Sequence, residues 1–208
     1  MEANPNVITP EVLAQGLSFS HYMDQVREAV AQNRTTGLEQ SRLLTDVTKN
    51  NVAIMERTYQ TPLLPELVHL VQSLPTPMIW LIITEGWCGD AAQNVPILAA
   101  IAEKSSHITF LTILRSEHPA VMDAYLTNGG KSIPKLICLD ARTLQPLGSW
   151  GPRPQALQEA ILPLKKSNLH ILETIRLAQE ISDADQGQSL QKELLTFIPA
   201  WVQAAQSL

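Results

Sequence analysis

The chain has 208 residues, 45% of them apolar and 17% charged, with a formal net charge of −5. That length supports a sizeable core and that composition is globular, which excludes a disordered chain. The negative balance argues against general nucleic-acid binding, which needs clustered Lys and Arg, and the longest apolar run is far short of the roughly 20 residues that cross a bilayer. Only two cysteines are present, Cys88 and Cys138, so a disulfide scaffold is excluded and a reducing compartment fits. Met1-Glu2-Ala3-Asn4-Pro5 lacks the basic and apolar regions of a signal peptide. A soluble, cytoplasmic protein is expected, with neither nucleic acid nor membrane among its partners.

Residues 1 to 17 hold Pro5, Pro10 and Gly16 and read as an irregular lead-in. Phe19, Tyr22, Met23, Val26, Ala29 and Val30 recur at helical spacing, with Ser18 or Ser20 available as a cap. After Gly37 a second helical segment runs through Leu43, Leu44, Val47, Ile54 and Met55, with Asn50-Asn51 as a candidate break. Neither helix can bury its stripe alone, so residues 1–60 are expected to pack on a core as a helical extension. Thr61-Pro62, a capping hydroxyl and then a proline, predicts the start of the next helix, and Pro75-Thr76-Pro77 its end. Met78-Ile79-Trp80-Leu81-Ile82-Ile83 is a short apolar run that reads as a strand buried on both faces. Ala91, Val95, Leu98 and Ala102 then mark an amphipathic helix.

Cys88 therefore falls where a strand ends and a helix begins. The first turn of a helix offers free N–H groups and partial positive charge, which favour a thiolate. The Asp90 carboxylate in the same turn opposes it, and the sequence leaves the net sign open. Farther on, residues 107–114 alternate as a strand and Pro119 opens a helix that Asn128-Gly129-Gly130 stops. A strand follows Ile133-Pro134, and residues 144–150 form a short strand paired with it. Pro154 opens a helix through Leu157, Ala160, Ile161 and Leu164. Two more helices are expected from residue 168 to the end, marked by Leu169, Leu172, Ile175 and Leu177, then Leu190, Leu194, Leu195, Ile198 and Val202, and divided at residues 183–187.

Trp87-Cys88-Gly89-Asp90-Ala91 resembles the Trp-Cys-Gly-x-Cys motif of the thioredoxin superfamily at every fixed position except the last. Pro96, eight residues past Cys88, matches that fold's helix-kinking proline, and Ile133-Pro134 resembles the cis-proline that faces the cysteine. With residues 125–129, Ser132 to Lys135 and Trp150 to Pro154, the chain is similar to a bacterial branch of thioredoxin-family proteins over roughly residues 62 to 165. The resemblance implies an α/β fold, a thioredoxin-like three-layer sandwich around a mixed sheet, with the core at 61–166 and helical extensions at 1–60 and 167–208.

Two departures bear on activity. The resolving cysteine of the dithiol motif is Ala91, and the buried acid six positions before the nucleophile is Ile82. Cys138 does not replace the missing thiol. It lies four residues past Pro134, about 13 Å along a strand, whereas a disulfide needs Cα atoms within about 7 Å. It reads as a small buried hydrophobe.

The resemblance then implies a monothiol thiol–disulfide protein, with Cys88 as nucleophile and an external thiol such as glutathione to release the mixed disulfide. Trp87, Gly89, Asp90, Ile133 and Pro134 are the candidate substrate-binding residues around it. Trp87 would shield the thiol, or serve only as a packing aromatic. Cis Pro134 would leave the backbone of Ile133 open to an extended partner. The alternatives are a thioredoxin-fold binding module without turnover and a redox sensor that forms a sulfenate. Arg153, between two prolines, reads as a turn element rather than an anion ligand. His21, His69, His107, His118 and His170 are dispersed, so no metal is expected, and no cofactor. Oligomeric state is not legible.

Overall fold

A computed structural model describes residues 7–208, so Met1-Glu2-Ala3-Asn4-Pro5 lie outside the described residues. Its centre is a four-stranded sheet of β1 (Met78–Thr84), β2 (Ile108–Leu114), β3 (Lys135–Asp140) and β4 (Pro146–Trp150), in the order β2-β1-β3-β4. β1 and β2 are parallel, with Met78 opposite Ile108 and Thr84 opposite Leu114. Parallel neighbours need a crossover, and α5 (Gly89–Ala102) supplies it. β3 runs antiparallel to β1, and β4 antiparallel to β3. This mixed sheet with flanking helices is the α/β, thioredoxin-like architecture expected.

The N-terminal helices are α1 (Pro10–Ala14), α2 (Phe19–Ala31), α3 (Arg42–Tyr59) and α4 (Pro65–Gln72). After α5 come α6 (Pro119–Ala124), α7 (Gln155–Lys166), α8 (Ile171–Asp185) and α9 (Gln188–Gln206). One apolar cluster joins the sheet to the extensions: Tyr22, Ile54 and Met55 from the N-terminal side, Leu190, Leu194 and Trp201 from the C-terminal side. Trp80, Cys138 and Gly148 lie in register across β1, β3 and β4, and Trp201 packs edge-on against Trp80. A Cβ on Gly148 would come within 2.2 Å of the Trp201 ring, so the glycine is what lets α9 approach the sheet.

Several expectations are corrected. The lead-in is not wholly irregular: Thr9 caps α1, Pro10 occupies its first turn, and Leu17 exchanges backbone hydrogen bonds with Thr112 on the outer edge of β2. Asn50-Asn51 breaks nothing, because the buried Asn51 amide is engaged by a partner outside α3 and the backbone stays helical. The next helix starts at Pro65 and not at Thr61-Pro62. A residue before proline is driven out of the helical region, and Leu64 accordingly stands at φ −62°, ψ 126°. Buried Gln191 of α9 pins this extended stretch, accepting from Leu64 N–H at 2.7 Å and donating to Pro62 O at 3.2 Å.

The helix after Cys88 is not amphipathic. Every residue from Ala91 to Ala102 is buried, because α3 covers the side that would face solvent in a two-layer arrangement. The stripe of α8 shows the reverse. Leu169, Leu172 and Ile175 are exposed rather than packed, as are Leu43 and Ile171. Among the described residues no helix is long and apolar enough to cross a membrane.

Candidate functional site

Cys88 is the N-cap of α5, with β-region dihedrals of φ −81° and ψ 115°. β1 ends four residues earlier, and the intervening Glu85-Gly86-Trp87 turn is closed by Cys88 N–H donating to Glu85 O at 3.1 Å. Cys88 is 8% exposed, and its sulfur donates to the carbonyl of Ile133 at 3.2 Å. The Ile133–Pro134 peptide is cis, and both residues are buried. The thiol thus sits against the loop that begins β3.

The turn is held by residues that sequence reasoning missed. Buried Thr36 donates to Glu85 Oε2 at 2.7 Å and accepts from Gly86 N–H at 2.8 Å. Glu85, 1% exposed, also accepts from Ser116 N–H and Ser116 Oγ at 3.0 and 2.8 Å. Asn51 donates to Gly86 O at 2.9 Å. A Cβ on Gly37 would lie 2.7 Å from the Glu85 carboxyl, so the φ +70° glycine lets this loop close over it. The N-terminal extension is therefore part of the site.

Thr36→Val keeps the side-chain volume but removes both hydrogen-bonding roles. It is expected to cost about 2 kcal/mol, because a buried N–H and a carboxyl oxygen lose a partner. Chemical denaturation reads the loss, and hydrogen exchange should place it at Gly86. Wild-type stability in this variant would show the turn to be held elsewhere.

Trp87 is half-buried, with the Arg115 guanidinium 4.8 Å from its ring centroid. Arg115 also donates to Lys131 O at 3.3 Å and pairs with Glu39 at 3.1 Å, tying the indole to the loop before Pro134. Gly89 is open: a Cβ there would meet no atom within 4 Å. Asp90 pairs with Arg153, whose side chain is only 6% exposed. Arg153 lies in the expected turn, and the structure brings it from there to Asp90 and Cys88. The fold puts it there through Gly151, which has φ +113° and whose Cβ would stand 2.3 Å from Pro134 O. Cys138 is fully buried and directs its thiol toward Met78 Sδ at 3.7 Å, away from this site. Both cysteines are free.

The electrostatics settle the sign that the sequence leaves open. Burial pushes the Cys88 thiol up to about 12, and the Asp90 carboxylate adds to the rise. The N–H groups of Ala91 and Asp90, and then Arg153, oppose it without overcoming it. Near neutral pH the group is a thiol donating to Ile133. Beside it opens a cleft of about 580 Å³ walled by α3, α8 and the α7–α8 connection, with Trp87, Cys88, Asp90 and Arg153 in its lining. Among the described residues no group of three His, Cys, Asp or Glu side chains is placed to hold a metal ion.

A cysteine at a strand–helix junction, facing a proline loop on a β2-β1-β3-β4 sheet, defines a protein of thioredoxin-like fold. A family model described as thioredoxin matches residues 37–183, and the chain belongs to that family. The match begins at Gly37, so it includes α3. No curated protein sequence matches the chain. Among solved structures it is similar to a protein of unknown function from Pseudomonas aeruginosa, at 17% identity and TM-score 0.50, over 83% of this chain and 95% of that one. It is also similar to an HIV epitope-scaffold, at 15% identity and TM-score 0.51, over 88% of this chain and 98% of that one. Identities this low speak to the fold alone.

Proposed function

We propose that this thioredoxin-family chain acts as a binding module, with Cys88 a protonated, hydrogen-bonded wall of a ligand cleft rather than a resting nucleophile. The observation that carries the reading is the closed state of Cys88: the residue is 8% exposed, and its thiol donates to Ile133 O and is flanked by the Asp90 carboxylate. Exchange chemistry requires the thiolate. Ala91 offers no resolving thiol, and Ile133 and Pro134 are buried, so an extended disulfide substrate has no open ledge to pair with. The apolar cleft at the same spot gives a binding role its surface.

A second reading, monothiol exchange, is favoured by one observation. The Ala91 and Asp90 N–H groups and Arg153 all lower the thiol pKa, so a partner that drew the Asp90 charge away would activate Cys88. An external thiol such as glutathione would then release the mixed disulfide.

Incubation of the native protein with glutathione disulfide at neutral pH, followed by intact mass, separates the two. The binding reading predicts no added glutathione until the chain is unfolded. A glutathione adduct on native Cys88 within minutes would overturn it and favour exchange.

A further inference from the structure

We propose that the cleft beside Cys88 takes an aliphatic acyl chain whose head is an uncharged carbonyl, an ester or amide, received by the Arg153 guanidinium. This deepens the binding reading above and rests on it. The cleft's volume of about 580 Å³ lies in the range of small-molecule sites, roughly 300 to 1,000 Å³. Leu43, Leu44 and Val47 from α3 face Leu169, Ile171 and Ile175 across it, and four of these six are large apolar side chains left exposed. An apolar occupant would cover them. Of the polar side chains in the lining, Asn51 is committed to Gly86 O and Gln93 to Asp183. The Ser167, Thr174 and Ser182 hydroxyls donate to backbone carbonyls of their own segment, which leaves Gln179 as the one amide on offer among the described residues. A peptide backbone, with donors and acceptors along its length, would find few partners on these aliphatic walls. A methylene chain needs none.

The head-group chemistry follows from charge balance. Arg153 gives Nη2 to Asp90, while its Nε and Nη1 are shut off from water with no hydrogen-bond partner among the described residues. Donors left in that state favour an acceptor. Asp90 has already neutralised the guanidinium, so a second carboxylate would face its repulsion, and an ammonium would face Arg153. Nε–H and Nη1–H also leave from different edges of the planar group, so together they do not form the two-pronged grip that suits a carboxylate. A carbonyl oxygen can accept from one of these donors without adding charge.

Isothermal titration of the full chain with decanamide, decanoate and decylammonium tests this. Decanamide is expected to saturate one site per chain and to bind at least about tenfold tighter than either charged probe. Ile175→Asp, on the exposed cleft wall, should abolish binding of decanamide. The charge-balanced double variant Asp90→Asn/Arg153→Met should keep chain binding and lose the preference among heads; if it does not fold, the wild-type ratios decide. Tighter binding of decanoate overturns the uncharged head. Equal binding of all three overturns recognition by Arg153 while leaving the cleft a binding site. No saturable binding of any probe overturns the acyl ligand, and the thiol measurements then judge the binding reading on their own.

Discussion

Gly151→Ala is expected to destabilise the protein by about 3 kcal/mol or more, lowering its melting temperature by roughly 6 to 12 °C. Two effects add. The residue has φ +113°, a conformation that side-chain-bearing residues rarely adopt, and its Cβ would lie 2.3 Å from Pro134 O and 3.3 Å from Pro134 C. Those neighbours are backbone, fixed by the pairing of Leu136 with both Ile82 and Trp150, so neither can give way cheaply. Relief must come from the loop of residues 150–154, which carries Arg153. The variant should therefore lose the Asp90–Arg153 pair as well as stability. Scanning calorimetry measures the loss of stability, and alkylation of Cys88 reads the loss of the pair. A melting temperature equal to wild type would mean that the loop does not rest on Pro134.

Asp90→Asn is expected to raise the alkylation rate of Cys88 at pH 8 by about tenfold or more, since each pKa unit is a factor of ten in thiolate population. Burial is the larger cause of the raised pKa and remains in the variant, so reactivity should stay below that of a free thiol. What changes is the carboxylate two residues away, whose repulsion disappears. Arg153, no longer neutralised by Asp90, then acts on the sulfur with less opposition. An unchanged rate would place the whole effect in burial and remove Asp90 from the control of the thiol. The same pKa rise links to stability. Burial raises the Cys88 pKa to about 12 in the fold, so its contribution is complete below the roughly 8.5 of an unfolded cysteine and is lost as pH climbs from there toward 12.

The strand from Met78 and the cysteine at its end were legible because both signals are local: an apolar run bounded by prolines, then Trp-Cys-Gly at a helix start. Ile133-Pro134 and Pro96 were legible through resemblance. The helical reading of α5 was right in type and wrong in exposure, since one-sided spacing cannot reveal that α3 covers the other side. The clamp on the turn was not legible at all. Thr36, Asn51 and Ser116 meet Glu85 and Gly86 only after the chain has folded, from as far as 50 positions away in sequence. The partner of Arg153 was not legible for the same reason: two prolines describe the turn it sits in, while Asp90 lies 63 positions earlier. The exposed face of α8 looked like any buried stripe, because periodicity reports that a face is apolar and not whether anything covers it.

The measurement that bears most directly on the central claim is the pH dependence of Cys88 alkylation in the native protein, read by peptide mapping that separates it from Cys138. Labelling that is slow at neutral pH, with a midpoint well above the roughly 8.5 of a free cysteine, is the predicted result. A midpoint below that value, with fast labelling at pH 7, would contradict it and make Cys88 a working nucleophile.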